Sequence, residues 1–396
     1  AHRAVLCSAL AEGASHIENL EFSKDISATL SAAGQLCAKV RTGADRAVVE
    51  GLGSFLPVSA PVDCCESGST LRFLIPIASL TGQKVTFVGR GRLMERPQTV
   101  YEKLYQEQSL RFEQSSAGLT VEGTLKSSEY ELAGDVSSQF VSGLLFALPL
   151  LPGNSALTVQ QPVESESYIR MTIEAIAASG IEVQESNAFS WRIPGHQQYK
   201  SHSCHLNGDY SQAAVLCCAG ALGHDITVTH LSPVTTQGDR AILSHLMALG
   251  ATVEESDNHI RVKAGKLHGA TLDMHDCPDI APILALTAQL AEGESRLTHC
   301  GRLRLKECDR LAATVEILNL LGGNAQADGD DIVLHGVKQL RGGVTLPNYG
   351  DHRMVMLASI AATKCEQPIE MDGIEAIDKS WPEYLKVYQM LGGKCE

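Results

Sequence analysis

The 396-residue chain is short of positive charge: 32 Lys and Arg stand against 46 Asp and Glu, for a net charge of −14. A nucleic-acid surface normally needs a basic face, so that class of partner is not expected, and any arginine cluster should serve small anions inside a cleft. Its 12 cysteines include the adjacent pairs Cys64-Cys65 and Cys217-Cys218, with Cys204 beside His205, but no C-x-x-C and no repeated ligand spacing with histidine. A reduced, cytoplasmic protein without a bound metal is the expectation. Long apolar runs are missing too. The longest, residues 140–151, contains Ser142, Gly143 and Pro149, and no membrane or secretory segment is expected. The G-x-x-x-x-G-K-[ST] phosphate loop does not occur, which argues against a P-loop kinase.

What the chain does have is a long repeat. A polar start, about ten mostly apolar residues, a turn and a β-like run recur from near His2, Thr70, Ser138, Ser211, Asp279 and His352, a period of about 70 residues. Segment 212–222 shows the type: it is apolar nearly all round, so the helix should be buried. Strands are expected at 84–88, 156–159, 225–229 and 367–371, where apolar and polar residues alternate. A second, more amphipathic helix runs in phase from near Asp25, Arg96, Tyr168, Asp239, Asp309 and Trp381. Gly34, Gly180, Gly250, Gly322 and Gly392 are expected as left-handed caps. The unit reads as βαβαβ, six times over, grouped as two similar α/β lobes. The boundary is placed in the polar stretch Leu206-Asn207-Gly208, giving lobes at 1–207 and 208–396 with a ligand cleft expected between them.

The buried helices begin with Gly68-Ser69-Thr70, Ser137-Ser138-Gln139 and Asp351-His352-Arg353. Each aims backbone N–H groups without intrahelical partners, together with polar side chains, out of one end of a core. Converging ends of this kind make an anion site. Residues 304–310, Arg-Leu-Lys-Glu-Cys-Asp-Arg, concentrate three cations and two carboxylates ahead of another helix. A capped, solvated helix start would explain that string alone, with Asp309 as the cap.

Taken together, the motifs resemble the enolpyruvyl transferase family. They are His2-Arg3-Ala4, Ser67-Gly68-Ser69-Thr70-Leu71-Arg72, Glu95-Arg96-Pro97, Asp135-Val136-Ser137-Ser138-Gln139-Phe140, Gln237-Gly238-Asp239, Pro278-Asp279, Lys306-Glu307-Cys308-Asp309-Arg310, Asp351-His352-Arg353-Met354 and Asp378-Lys379-Ser380. S-S-Q-F, K-E-x-D-R and D-H-R-M resemble the branch acting on shikimate 3-phosphate rather than the one acting on UDP-N-acetylglucosamine. The resemblance implies two lobes with buried helices and transfer of the enolpyruvyl group of phosphoenolpyruvate to the 5-hydroxyl of shikimate 3-phosphate. It implies no cofactor, and a cytoplasmic monomer is expected. Residue by residue, it implies Arg3 for the shikimate carboxylate, a match for its bidentate fork, and Ser137, Ser138 and Ser165 for the phosphate. Gln139 is implied at the junction of both substrates and Lys306 on the shikimate side. Gly68, Arg96, Gln139, Arg310, Arg353 and Lys379 are implied around phosphoenolpyruvate, Asp279 as the general base and Glu307 as the proton donor. The neighbouring arginines would lower the Glu307 pKa while donation needs it raised, and sequence alone leaves that open. His352 is expected to cap or support rather than to catalyse.

Three departures stand out. The family carries a P-G-S-K-S-like segment just before the residues matching His2-Arg3, and a strand that completes the second lobe; both are expected upstream of Ala1. Glu66 replaces an Asn beside the anion site and is expected to point away or pair with a cation. Ser165-Glu166-Ser167-Tyr168 replaces S-x-P-Y, and Arg302 stands where Asn is common. Sensitivity to glyphosate, which competes at this family's phosphoenolpyruvate site, does not follow from the sequence. The alternatives are a transferase of UDP-N-acetylglucosamine and a non-catalytic anion-binding relative. A chain beginning at Ala1 is expected to show little or no turnover and to recover it when an upstream S-K-S segment is supplied. Phosphate release measures both, and normal turnover without the segment would sink the idea.

Overall fold

The computed structural model describes all residues except Val136, which lies in the D-V-S-S-Q-F string, and Asn258. Two compact units result, Ala1–Leu206 and Asn207–Glu396. The helices of the first are α1 (His2–Leu10), α2 (Lys24–Leu36), α3 (Gly68–Ala78), α4 (Thr99–Glu107), α5 (Ser138–Ala147) and α6 (Glu166–Ala178). Those of the second are α7 (Tyr210–Ala219), α8 (Ile242–Ala248), α9 (Ala281–Gln289), α10 (Arg310–Leu320), α11 (His352–Ala362) and α12 (Tyr384–Met390). The predicted starts fall within about three residues of these. None of the helices among the described residues is long and apolar enough to cross a membrane.

The apolar helices are buried, as their all-round hydrophobicity requires. Val5 to Leu10 of α1, Thr70 to Ala78 of α3 and Phe140 to Ala147 of α5 have little or no exposure, and each unit closes on its own apolar cluster. The sheets pack outside them with one repeated plan. A parallel pair flanks the first helix and an antiparallel hairpin follows the second. In the second sheet Val62–Asp63 runs parallel to Val85–Val88, which pairs antiparallel with Gly118–Glu122, itself paired with Arg111–Ser115. Glu129–Ala133 with Ser155–Gln160, and Thr271–Asp273 with Glu294–Thr298, repeat that arrangement. The unit is therefore βαβαββ. The closing hairpin adds a strand to the βαβαβ reading, because two short runs joined by a tight turn look like one strand in the pattern.

Sheets one and four vary the plan. In the first, the parallel position beside Glu12–Glu18 is taken by Cys204–His205 from the far end of the unit. In the fourth, Ile226–Thr229, His259–Lys263 and Thr252–Glu255 form a three-stranded sheet among the described residues. Two local expectations need correction. Gly34 lies inside α2, which runs on to Leu36 and closes at Cys37, whereas Gly180, Gly250, Gly322 and Gly392 do adopt positive φ. Residues 367–371 are not one strand: Cys365–Gln367 and Glu370–Met371 are separated at Pro368, which has no N–H to extend the ladder.

One crossing positions the first unit's site. Pro76 inside α3 cannot donate to the Arg72 carbonyl four residues back, and Tyr101 Oη of α4 lies 2.9 Å from that oxygen and 2.9 Å from the Phe140 carbonyl of α5. A Cβ on Gly143 would collide with both Tyr101 Oη and the Arg72 carbonyl. Gly143→Ala should therefore lower stability by about 1–3 kcal/mol, the usual penalty of overpacking. The urea midpoint measures it, and an unchanged midpoint would show that the crossing has slack.

Candidate active site

In the first unit the polar helix starts carry the predicted side chains. Ser137 caps α5, accepting from the Gln139 N–H at 3.3 Å, and Ser67 caps α3, accepting from the Thr70 N–H at 3.1 Å. Gln139 Nε2 donates to Ser69 Oγ at 3.0 Å, so the starts of α3 and α5 meet. Gly68 lies at that meeting point: a Cβ there would be 3.0 Å from Arg96 Nη1 and 3.4 Å from Gln139 Oε1, which only glycine leaves open. Ser138 is buried beside them. Arg3 sits apart, on the start of α6. It donates to Thr172 Oγ1 (2.8 Å) and the Tyr168 carbonyl (2.9 Å), and its guanidinium lies 5.5 Å from the Phe73 ring centroid. Burial pulls its pKa down to about 10, which leaves it a cation at neutral pH. Ser165, fully buried with φ +55°, is the residue from which α6 starts. The Glu66 carboxylate reaches the turn at Gly91, where Oε1 is 2.8 Å from the position of a Cβ.

In the second unit the stretch 304–310 gathers the rest. Asp309 caps α10, accepting from the Ala312 N–H at 3.0 Å, so the capping explanation is right for that residue and for that residue only. Lys306 Nζ and Arg310 Nη1 both donate to Asp279 Oδ1, at 2.8 and 3.0 Å. Arg310 Nη2 donates to Glu307 Oε2 at 2.6 Å, and Lys379 Nζ lies 3.3 Å from Glu307 Oε1. Arg310 Nε donates to Asp351 Oδ2 at 2.7 Å. Asp351, with no exposure, also caps α11 through the Arg353 N–H (2.8 Å) and accepts from the Cys308 thiol at 3.5 Å. Arg353 turns its Nη1 and Nη2 to the Ser211 carbonyl and Oγ, both at 2.8 Å. Its Nε is buried without a hydrogen-bond partner among the described residues.

Burial pushes the Asp279 carboxyl up, but Lys306, Arg310 and Arg353 together outweigh it and hold the group far below the ordinary carboxylate range. Burial likewise raises Asp351, and Arg310 overcomes it, so that carboxyl is also lowered. Lys306 is pulled down, chiefly by burial and against the pull of Asp279; Arg302 nearby lowers it further. His352 is brought down to about 3 by burial despite Asp351, and so is neutral at pH 7.

Sequence reasoning assigned nothing to Arg72, Asp351 or Ser211, though each lay inside or beside a quoted motif. Their signal is positional. Arg72 is one turn along α3 from Gly68, Asp351 is the polar residue just before a buried helix, and Ser211 is in the first turn of the fourth sister helix.

With this geometry in place, comparison with known proteins decides the family. The profile of EPSP synthase (3-phosphoshikimate 1-carboxyvinyltransferase) matches residues 1–388. This chain belongs to the EPSP synthase family. Proteins named 3-phosphoshikimate 1-carboxyvinyltransferase are among its relatives. That of Clostridium kluyveri is 39% identical over 397 residues, covering 100% of this chain and 93% of the relative. That of Clostridium beijerinckii is 40% identical over 403 residues, covering 99% and 93%. Among solved structures, EPSP synthase from Acinetobacter baumannii superposes with a TM-score of 0.82 at 23% identity, covering 100% of this chain and 94% of that one. That likeness establishes the EPSP synthase fold, two lobes of α/β units with the helices inside, as expected.

The pKa shifts set an acid limit. Between pH 3 and 6.5 unfolded His352 binds a proton that the native side chain refuses, so stability rises with pH across that window. The lowered Asp279 and Asp351 add stability present above the ordinary aspartate pKa of 3.8 and lost as pH falls through their depressed values. Destabilisation on acidification should thus begin near pH 6.5. In His352→Asn the urea midpoint should stay flatter from pH 6.5 down to about 4; a slope equal to the parent's would mean that His352 is not the group responsible.

Proposed function

We propose that this protein transfers the enolpyruvyl group of phosphoenolpyruvate to the 5-hydroxyl of shikimate 3-phosphate and releases phosphate. Membership of the EPSP synthase family supports the reaction. The observation that carries the assignment of residues is the network joining Asp279, Lys306, Glu307, Arg310 and Lys379, which puts a proton acceptor and a second carboxyl on the same arginine. Lys306, Arg310, Arg353 and Lys379 outnumber the carboxyls Asp279, Glu307 and Asp351 that they face. The excess positive charge and the unpartnered Arg353 Nε suit an anionic substrate.

In this reading the depressed pKa keeps Asp279 ionised, and with Lys306 and Arg310 both on Oδ1 its Oδ2 takes the proton of the 5-hydroxyl. The hydroxyl oxygen bonds to C2 of phosphoenolpyruvate while C3 receives a proton from Glu307. The tetrahedral adduct then returns a C3 proton to the Glu307 carboxylate as the bond from C2 to the phosphate oxygen breaks, and the proton held by Asp279 leaves with the released phosphate. Arg96, Arg310, Arg353 and Lys379 hold the phosphoenolpyruvate anion, and the backbone at Gly68 admits it closely. Arg3 holds the shikimate carboxylate, Ser137, Ser138 and Ser165 its phosphate, and Gln139 and Lys306 its neighbouring oxygens. The protein is proposed to act as a monomer without nucleic-acid or membrane partners.

Asp279→Asn and Glu307→Gln should each lower phosphate release by about 10²–10⁴-fold. Calorimetry should still show shikimate 3-phosphate binding to both. Binding of UDP-N-acetylglucosamine instead would favour the nucleotide-sugar transferase. Shikimate 3-phosphate binding with no phosphate release even from the parent would favour a non-catalytic relative.

A further inference from the structure

We propose that Arg72 is a positioning residue for this reaction, acting by fixing which way the Gln139 amide faces. The inference rests on the reading of Gln139 as a substrate-binding group. Arg72 is 8% exposed and held on several sides. Its guanidinium lies 4.7 Å from the Phe140 ring centroid, Nε donates to Gln98 Oε1 at 3.2 Å, and Nη2 donates to the Pro97 carbonyl at 3.3 Å. Nη1 then has two acceptors at the start of α5, Gln139 Oε1 at 2.9 Å and Ser137 Oγ at 3.4 Å.

Arginine has N–H donors and no acceptor, so the amide atom facing Nη1 must be the oxygen. The Gln139 NH2 is thereby turned to Ser69 Oγ, while Oε1 is the amide atom nearer the position of a Cβ on Gly68, 3.4 Å against 4.0 Å, where phosphoenolpyruvate is read to bind. That matters because the NH2 is the donor that holds the start of α5 to the start of α3, beside the Gly68 backbone. An amide flipped by half a turn would set its NH2 against a guanidinium and take away the donor to Ser69 Oγ, two losses at once. Arg72 forbids the flip from behind, without touching substrate. Its contacts with Gln98 and Pro97 also tie the segment bearing Arg96 to the same two helix starts. Sequence reading could not separate this role from that of a clamp cation, since both look like an arginine near a phosphate-binding turn.

The test is a double-mutant cycle on the full chain. Arg72→Lys keeps the charge but loses the fork. In the Gln139 background it should lower kcat/KM for phosphoenolpyruvate by about tenfold or more, the scale of one charge-assisted hydrogen bond. In a Gln139→Ala background it should cost under about twofold, because the amide through which it acts is gone. Equal losses in both backgrounds would overturn the proposal and make Arg72 a cation acting on its own. A substrate-free arm reads the same contact directly. The side-chain amide protons of 15N-labelled Gln139 should be protected from exchange in the parent and exposed in Arg72→Lys, and protection unchanged by the substitution would also overturn it. Arg72→Gln, which keeps an NH2 donor group without the charge, is the second variant; if neither variant folds, Arg72 belongs to the fold and the proposal falls. Absence of phosphate release from the parent would count against the assigned reaction instead, leaving the amide measurement to judge Arg72.

Discussion

Arg310 is a cation with 2% exposure, and the second unit's chemistry is arranged around keeping it charged there. A buried guanidinium is tolerable only when its donors are met, and Asp351, Glu307 and Asp279 meet Nε, Nη2 and Nη1 in turn. Each contact has a second effect. Asp351 joins α10 to the cap of α11 and so brings Arg353 into place. Glu307 is brought against Lys379, and Asp279 is joined to Lys306. Taking away Asp351 would leave a buried charge without the acceptor at its Nε, a loss on the order of 3–5 kcal/mol. The site and the stability of this unit therefore depend on the same ion.

The first unit solves the corresponding problem with neutral groups. Serine caps, a glutamine and a bare glycine backbone fill its helix starts, and its buried cation, Arg72, is met by amide, hydroxyl and carbonyl oxygens. Those four contacts of Arg72 involve no titrating carboxyl. The buried carboxyls held down by cations, Asp279 and Asp351, lie in the other unit, while in the first unit ion pairing raises the exposed Arg111 and the partly exposed Arg170.

The repeat was legible because burial imposes composition: a helix enclosed on all sides must be apolar on all sides, and six such segments at one period are hard to mistake. The hairpins were missed as pairs because a strand pair reads like one longer strand. Pro368 was passed over because it interrupts hydrogen bonding rather than hydrophobicity. At the site, residues whose own charge faces substrate in the family could be carried over from motifs. Arg72, Asp351 and Ser211 could not, because their roles lie in what stands next to them in space: an amide oxygen, a guanidinium edge, a second arginine. Gly34 was misread for a related reason, since glycine near a helix end signals a cap only if the chain turns there, and in α2 it does not.

The layout of each unit also separates what can lengthen from what cannot. The hairpin ends, such as those at Ser115–Gly118 and Asp328–Asp331, follow the second helix of their units, and they meet the polar stretches through contacts such as Arg304 Nη2 to the Gly329 carbonyl and Gln114 Nε2 to the Arg96 carbonyl. An extra residue there would leave every helix in register. One inserted between Ser137 and Gln139, or between Asp351 and Arg353, would rotate the following side chains by about 100° around their helix and scatter the cluster. Evolutionary room in such a chain is thus distributed by geometry, with more latitude at the hairpin turns than in the first turn of the enclosed helices.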